Sequence, residues 1–182
     1  MSHCASCDGP LLRDRTVAVV GGGDSALQEA LTLAESAAEV IVFQRGEDLT
    51  AQAAYRQRAL EQPKISVRSG TVVEEIVGES SVTAVRVREL ATGETADVEV
   101  GGVFVYVGLL PNTEALAGTL PLDAEGRIPT DDLQRTELPG VLAAGIVRRN
   151  AAGRAAAAAG EGAAAALAAD RYLAGGAWLP EG

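Results

Sequence analysis

The sequence has few of the residues that mark membrane proteins, nucleic-acid-binding proteins or disulfide-rich secreted proteins. Only 3% of its 182 residues are aromatic, and it has one histidine and two cysteines. No apolar run approaches the roughly 20 residues of a membrane span, and the N-terminus does not resemble a signal peptide. The net charge of -10 disfavours nucleic acid or an anionic membrane as the main partner. We therefore expect a soluble, cytoplasmic protein with no nucleic-acid or membrane partner.

Small and medium-sized apolar residues supply the hydrophobic content. Hydrophobic residues make up 47% of the chain, and most of them are alanine, valine or leucine. A chain of this length can bury a substantial core, and it favours one domain, or one domain and a fragment of a second.

The most informative stretch is a short apolar run, a glycine turn and a helical pattern, followed by a second apolar run. Val17–Val20 precede the pattern G-x-G-x-x-A at Gly21, Gly23 and Ala26, and Val40–Phe43 form the second run. This order predicts a strand, a helix and a strand within about thirty residues, in which the turn lets the backbone approach a pyrophosphate. We therefore predict a dinucleotide at the start of the helix.

The residues after the second strand bear on which dinucleotide binds. An NAD site places an acidic residue there, whereas this sequence has Gln44 and Arg45. A cation suits the 2′-phosphate of NADPH, although Glu47 and Asp48 would oppose that phosphate. The prediction is NADPH in preference to NADH.

Both cysteines lie at the N-terminus in C-x-x-C spacing, as Cys4 and Cys7. In a reducing compartment such a pair is typical of redox chemistry, and Asp8 beside it would serve as an acid or base. Zinc is the competing use, but a structural zinc site takes four ligands. We interpret His3 as a bystander.

The middle of the chain changes to a period of two. Three alternating segments within residues 65–105 predict a three-stranded antiparallel meander inserted in the α/β unit. The continuous apolar run of residues 103–107 then predicts a strand that opens at Gly108 into a loop, a common position for ligand contacts.

The last part contains two predicted elements. The segment Gly140–Gly145 (GVLAAG) reads as a buried strand, and the alanine-rich stretch after it predicts a helix with almost no polar face. Gly160 and Gly162 within that stretch indicate close approach of a backbone or ligand, or a break between two helices.

Four motifs in order resemble thioredoxin reductase of the low-molecular-weight bacterial type and related flavin-dependent disulfide reductases. They are CASCDG, GGGDSALQEA, VFVYVGLLPNTE, and GVLAAG followed by R-x5-G-E-G and the alanine-rich helix. The resemblance implies an α/β fold, namely a Rossmann-like three-layer ββα nucleotide-binding domain with the meander inserted and a C-terminal helix. It implies an NAD(P)H-binding domain with the C-x-x-C over residues 1–118, and a return segment of the FAD domain over residues 119–182.

The resemblance also implies an activity. NADPH would reduce FAD, the flavin would reduce the disulfide, and the dithiol would reduce a small redox protein such as a thioredoxin. By motif, Cys7 matches the thiol that meets flavin, Cys4 the thiol that attacks the partner, and Asp8 the acid. The implied cofactor contacts are Gly21, Gly22, Gly23, Asp24, Ser25, Ala26, Gln44, Arg45, Gly108 and Arg154.

Departures from the family pattern qualify that activity. No FAD-binding glycine motif precedes the C-x-x-C, Ile146 stands where the family has a flavin-holding aspartate, and Ala155 replaces the glutamine after Arg154. We therefore interpret the chain as the NADPH half of such an enzyme without its flavin domain. The C-terminal helix must then pack on the nucleotide domain, pair with a second copy in a homodimer, or be partly disordered. The alternatives are a non-catalytic NAD(P)H-binding or partner-docking module, and a metal-binding or structural protein that uses Cys4 and Cys7 across a dimer.

Overall fold

A computed structural model describes residues 1–178 and divides the chain into two compact units. The first unit is Met1–Gly108 and the second begins at Leu109. The domain boundary after residue 118 stays a prediction. The elements of the first unit are α1 (Ala5–Asp8), β1 (Thr16–Val20), α2 (Asp24–Ala34), β2 (Glu39–Phe43), α3 (Ala53–Glu61), β3 (Ile65–Arg68), β4 (Thr71–Val77), β5 (Ala84–Glu89), β6 (Thr95–Glu99) and β7 (Gly102–Val105). The second unit contains α4 (Ala155–Leu173).

The first unit is built on a parallel sheet with the order β3-β2-β1-β7. Alternation along each strand divides its side chains between two cores, because successive residues face opposite sides of a sheet. Val17 and Val19 of β1 pack with the apolar stripe of α2, including Leu27 and Leu33. Ala18 of β1 faces the other side, where the core includes residues of β2, β5 and β7. The predicted α/β fold with three layers is confirmed.

The meander forms the outer layer with the order β4-β5-β6, and all its pairs are antiparallel. Val85 and Val87 of β5 are buried toward the parallel sheet. On the opposite face, Arg86 pairs with Glu75 and Asp97 across the strands. The alternating residues Ile65–Arg68 are not part of the meander, since they form β3 of the parallel sheet.

The strand predicted at Gly140–Gly145 is wrong. Within residues 109–178 this segment forms one isolated bridge, between Arg135 and Leu142. The φ angles of Gly140 (82°) and Gly145 (79°) lie in the left-handed region, so both ends of the apolar run leave the extended conformation. Its carbonyls and amides pair locally instead, as in the hydrogen bond from Thr136 N to Val141 O at 3.1 Å.

The predicted alanine-rich helix is present as α4, and it is continuous. The predicted break at Gly160 or Gly162 is therefore wrong, and a Cβ added at either glycine would meet no atom of residues 1–178 within 4 Å. Among the residues of α4 only Ala168 is buried. No helix in the described part of the chain is long and apolar enough to cross a membrane.

Candidate functional site

The glycine turn lies at the carboxyl end of β1, between the ends of its two neighbouring strands. Gly21 has a φ of 133°, and a Cβ there would lie 2.2 Å from the carbonyl oxygen of Tyr106, which follows β7. On the other side, Gly21 N donates to the carbonyl oxygen of Phe43, the last residue of β2, at 2.9 Å. Only glycine fits here, because any side chain would collide with the main chain of the adjacent strand end.

Gly23 opens the helix that follows. It is the N-cap of α2 and offers no side chain to cap the helix. Among the described residues, a Cβ there would meet only Thr50 Oγ1, at 3.7 Å, so this side of the turn is open to them. Main-chain amides at an uncapped helix start, with the positive end of the helix dipole, form a site for phosphate.

The side chain of Gln44 holds the loop after β2 beside the glycine turn. Its side chain is only 5% exposed, and a Cβ at Gly22 would lie 2.1 Å from its Oε1. Its Nε2 donates to Gly46 O at 2.8 Å and to Ser69 Oγ at 3.3 Å. Through these bonds the side-chain amide stabilises the loop after β2. The next residue, Arg45, is exposed to solvent.

The predicted contacts at the first turn of α2 have different environments. The Asp24 carboxylate accepts hydrogen bonds from Gln52 N and Gln52 Nε2, each at 2.7 Å. Ser25 is exposed, and Ala26 is fully buried against the sheet. Ala26 therefore serves close packing of helix on strand, whereas Ser25 faces solvent at the helix start.

These features fit a dinucleotide at the carboxyl edge of the sheet. The turn residues Gly21, Gly22 and Gly23 and the exposed Arg45 follow β1 and β2 at this edge. Gly108, with a φ of 99°, comes three residues after β7 ends. The remaining predicted contact, Arg154, lies in the second unit as the N-cap of α4.

The two cysteines form a disulfide at the first turn of α1. Cys4 is the N-cap of this short helix, and its Sγ accepts a hydrogen bond from Cys7 N at 3.2 Å. Cys7 is exposed, whereas Cys4 is half-buried. Asp8 ends α1 and borders a cavity of about 230 Å³ beside Leu12 and the start of β7.

A short parallel pairing places the disulfide near the same edge of the sheet as the glycine turn. Ser2 N donates to Val103 O at 2.9 Å and Val105 N donates to Ser2 O at 3.1 Å. His3 Nδ1 hydrogen-bonds the carbonyl oxygen of Val105 at 2.9 Å. The chain therefore runs beside β7 in the direction of its carboxyl end and then enters α1.

Two residues that sequence reasoning missed meet beside the disulfide helix. Glu29 of α2 accepts a hydrogen bond from Ala5 N, through its Oε2, at 3.0 Å. The buried hydroxyl of Tyr106 has no hydrogen-bond partner of ordinary geometry among the described residues. Burial, and then the negative charge of Glu29, raises the pKa of Tyr106 to about 12. The sequence did contain one indication of Glu29. It lies three residues after Ala26, and this spacing places a charged residue on the buried stripe of α2.

The second unit contains a cavity of about 230 Å³ at the start of α4, lined mainly by alanines, with Ile146, Arg154 and Glu161. Glu161 pairs with Arg148 at 2.6 Å and accepts a hydrogen bond from Gly145 N at 2.7 Å. The Arg148 pair lowers the pKa of Glu161. Arg154 Nη1 donates to Gly153 O at 3.3 Å.

This cavity does not fit the flavin that the resemblance implies. At the position of the flavin-holding aspartate, Ile146 offers an aliphatic side chain that is 48% exposed. Its carbonyl oxygen accepts a hydrogen bond from Arg127 Nη1. The polar anchor is therefore missing from these residues.

Fold and site together define an α/β domain of the dinucleotide-binding type that carries a C-x-x-C disulfide near its carboxyl edge. No cluster of three or more potential metal ligands occurs in the described residues. The sequence profile of the family Pyridine nucleotide-disulphide oxidoreductase matches residues 1–162. The chain belongs to this family, as its motifs predicted.

Similar proteins are thioredoxin reductases. That of Streptomyces clavuligerus is 42% identical over 175 residues, which cover 96% of this chain and 54% of the relative. That of Treponema pallidum is 39% identical over 176 residues, covering 95% of this chain and 56% of the relative. The crystal structure of Lactococcus lactis thioredoxin reductase superposes with a TM-score of 0.89 at 38% identity, covering 96% of this chain and 58% of that one. The chain therefore spans about half the length of the relatives it matches.

Proposed function

We propose that this chain is the pyridine-nucleotide portion of a thioredoxin-reductase-like oxidoreductase. It binds NADPH at the start of α2 and carries the disulfide, Cys4–Cys7, that exchanges with a protein partner. The observation that carries the proposal is the open glycine turn at Gly23, which lies at the same sheet edge as the disulfide segment. We also propose a cytoplasmic location, where a C-x-x-C pair is kept available for reduction.

The nucleotide is held by charge and by main-chain geometry. Amides at the first turn of α2 bind the diphosphate, since their hydrogen-bonding capacity is not used by a side-chain cap. Arg45 is exposed beside the turn and favours a nucleotide with a 2′-phosphate, which selects NADPH over NADH. When bound, the nicotinamide supplies a hydride.

The dithiol acts by exchange with a partner disulfide. The Cys4 thiolate attacks one partner sulfur, forming a mixed disulfide, and the other partner sulfur leaves as a thiolate. The Cys7 thiolate then attacks Cys4 Sγ, which restores Cys4–Cys7 and releases the second partner sulfur. Two electrons pass to the partner, and each released thiolate takes a proton, for which Asp8 is the proposed donor.

The partner we propose is a thioredoxin-like protein, because the relatives are named thioredoxin reductases. The isolated chain should turn over little NADPH, since the residues around Ile146 do not fit a flavin. That misfit favours a second candidate, a non-catalytic NAD(P)H-binding or partner-docking module of the same family.

Nucleotide binding is tested by calorimetric titration of the 182-residue chain with NADPH and with NADH. We expect binding of both, tighter for NADPH. The variant Gly23→Asp places a negative charge at the proposed diphosphate site and should abolish binding. The matched control Gly160→Asp adds the same charge on α4, where a Cβ meets none of the described residues within 4 Å, and should bind as the parent chain does. No binding of either nucleotide would overturn the proposal.

Exchange is tested by reducing the chain with dithiothreitol, removing the reductant, and adding an oxidised thioredoxin. Thiol labelling should show that the thioredoxin is reduced as Cys4–Cys7 is oxidised. Cys7→Ser should trap a mixed disulfide at Cys4, whereas Cys4→Ser should not. Nucleotide binding without exchange would support the non-catalytic module instead.

A further inference from the structure

The carboxylate of Glu29 joins α2 to the disulfide helix, α1, through a hydrogen bond. Its Oε2 accepts a hydrogen bond from Ala5 N at 3.0 Å, and Ala5 is 1% exposed in the core between the helices. Ala5 follows Cys4 directly, so the bonded amide is one peptide unit from a redox-active sulfur. Partial burial of a carboxylate costs free energy unless the carboxylate accepts hydrogen bonds of this kind.

Tyr106 contacts both the Glu29 carboxylate and the glycine turn. Its hydroxyl is buried beside Glu29, and burial with that negative charge raises the pKa of Tyr106. Its main chain supports the turn, since Tyr106 N donates to Val20 O at 2.7 Å and its carbonyl oxygen lies against Gly21. Glu29 therefore contacts the disulfide helix through Ala5 and lies beside Tyr106, whose carbonyl oxygen borders the glycine turn.

We propose that Glu29 is a positioning residue that fixes the C-x-x-C helix through the Ala5 amide and holds the reduced pair in its thiol form. This inference rests on the proposed dithiol function. An ionised carboxylate one peptide away opposes a thiolate by Coulomb repulsion, and it also occupies an N–H group that a thiolate would otherwise attract. Both effects act in the same direction, toward the neutral thiol.

Three other titratable groups lie near the Cys4–Cys7 pair. His3 is bonded to the Val105 carbonyl oxygen, and Asp8 ends α1 and borders the cavity beside Leu12. Tyr106 is a neutral phenol at physiological pH, as an ordinary tyrosine is, and burial beside Glu29 raises its pKa further, to about 12. Glu29 is therefore the carboxylate bonded to the first turn of the disulfide helix.

The test is the variant Glu29→Gln, which keeps an oxygen that can accept from Ala5 N and removes the charge. We expect the pH profile of iodoacetamide alkylation of the reduced chain to move to lower pH. In glutathione buffers at alkaline pH, the equilibrium should shift toward the reduced chain by about three- to tenfold. A tenfold shift corresponds to about 30 mV. The shift should shrink at low pH, where both chains hold neutral thiols, whereas a purely structural role predicts no such pH dependence.

The matched control is Glu35→Gln, which removes an exposed charge at the end of the same helix and should leave both measurements unchanged. Glu29→Ala removes charge and acceptor together and should produce a larger shift with a lower melting temperature. Should Glu29→Ala fail to fold, Glu29→Gln and Tyr106→Phe still test the inference. Tyr106→Phe should keep the redox equilibrium within twofold of the parent chain.

The result that overturns the inference is a Glu29→Gln chain whose alkylation profile and glutathione equilibrium match those of Glu35→Gln. That result leaves the proposed function intact if the parent chain still binds NADPH and exchanges with thioredoxin. If the parent chain fails to exchange with thioredoxin, the proposed function fails, while the alkylation and glutathione measurements still decide the role of Glu29.

Discussion

Both carboxylate oxygens of Asp24 accept a hydrogen bond from Gln52. Oδ1 accepts from the main-chain N and Oδ2 from the side-chain Nε2, each at 2.7 Å. Asp24 is the first residue of α2, and Gln52 precedes α3. The segment between them is further tied down, because Thr50 N and Ala51 N both donate to Gly22 O. The loop after β2 is therefore fastened to the glycine turn.

This relationship predicts opposite effects of Asp24→Asn on binding and stability. A carboxylate at the helix start stabilises the helix but repels a diphosphate bound there. We expect the variant to bind NADPH about two- to fivefold more tightly and to lose about 0.5–1 kcal/mol of unfolding free energy. Calorimetric titration and urea unfolding measure the two quantities. Weaker binding would show that the Asp24 carboxylate contacts the nucleotide favourably.

The three glycines of the turn should differ in their tolerance of alanine. Gly21→Ala forces a Cβ against the Tyr106 carbonyl at a φ of 133° and should cost about 3 kcal/mol. Gly22→Ala meets the Gln44 side chain, which can shift in part, and should cost less. Gly23→Ala meets only Thr50 Oγ1, at 3.7 Å, among the described residues, and it should lose no more than about 1 kcal/mol, because alanine is a poorer helix N-cap than glycine. Thermal melting of the three variants checks this order, and a Gly23→Ala chain as unstable as Gly21→Ala would contradict it.

Local patterns predicted the β1–α2–β2 unit well, because the local preferences of these residues agree with the long-range packing of the sheet. The apolar run of β1, the turn at Gly21 and the helical spacing of α2 each favour the structure that the sheet requires. The segment at Gly140 was mispredicted, since an apolar run does not show that the glycines at its ends adopt positive φ. The role of Glu29 depends on a contact with Ala5, 24 residues earlier in the chain, which no periodicity reports.

Acid should destabilise the second unit through Asp131. Burial opposes its ionisation, but hydrogen bonds from Arg135 and from main-chain amides outweigh it and lower the pKa of Asp131. A lowered pKa contributes stability that is present above the ordinary aspartate value near pH 4 and is lost as the pH falls through the folded value. We expect Asp131→Asn to lower the melting temperature at pH 7. We also expect the melting temperature of this variant to fall less than that of the parent chain as the pH is lowered.

Trp178 reports on this unit, since it is the only tryptophan of the chain. Its indole is 7% exposed, and Nε1 donates to Thr136 O at 2.9 Å, next to Arg135. Fluorescence melting between pH 7 and pH 2.5 therefore follows the relevant transition. An Asp131→Asn chain with an unchanged melting temperature at pH 7 would refute the assignment.

Gly160→Ala should stabilise α4. Each helical glycine costs about 1 kcal/mol relative to alanine. In the described part of the chain, neither Gly160 nor Gly162 has a neighbour within 4 Å of an added Cβ. Dense alanine offsets that cost, which is why the helix runs unbroken from Ala155 to Leu173. We expect Gly160→Ala to add about 0.5–1 kcal/mol of unfolding free energy, measured by urea titration. The control Gly93→Ala has equal space but a φ of 75°, so it should destabilise the chain. Destabilisation by Gly160→Ala, with a smaller particle by light scattering, would mean that a second copy packs closely against this glycine.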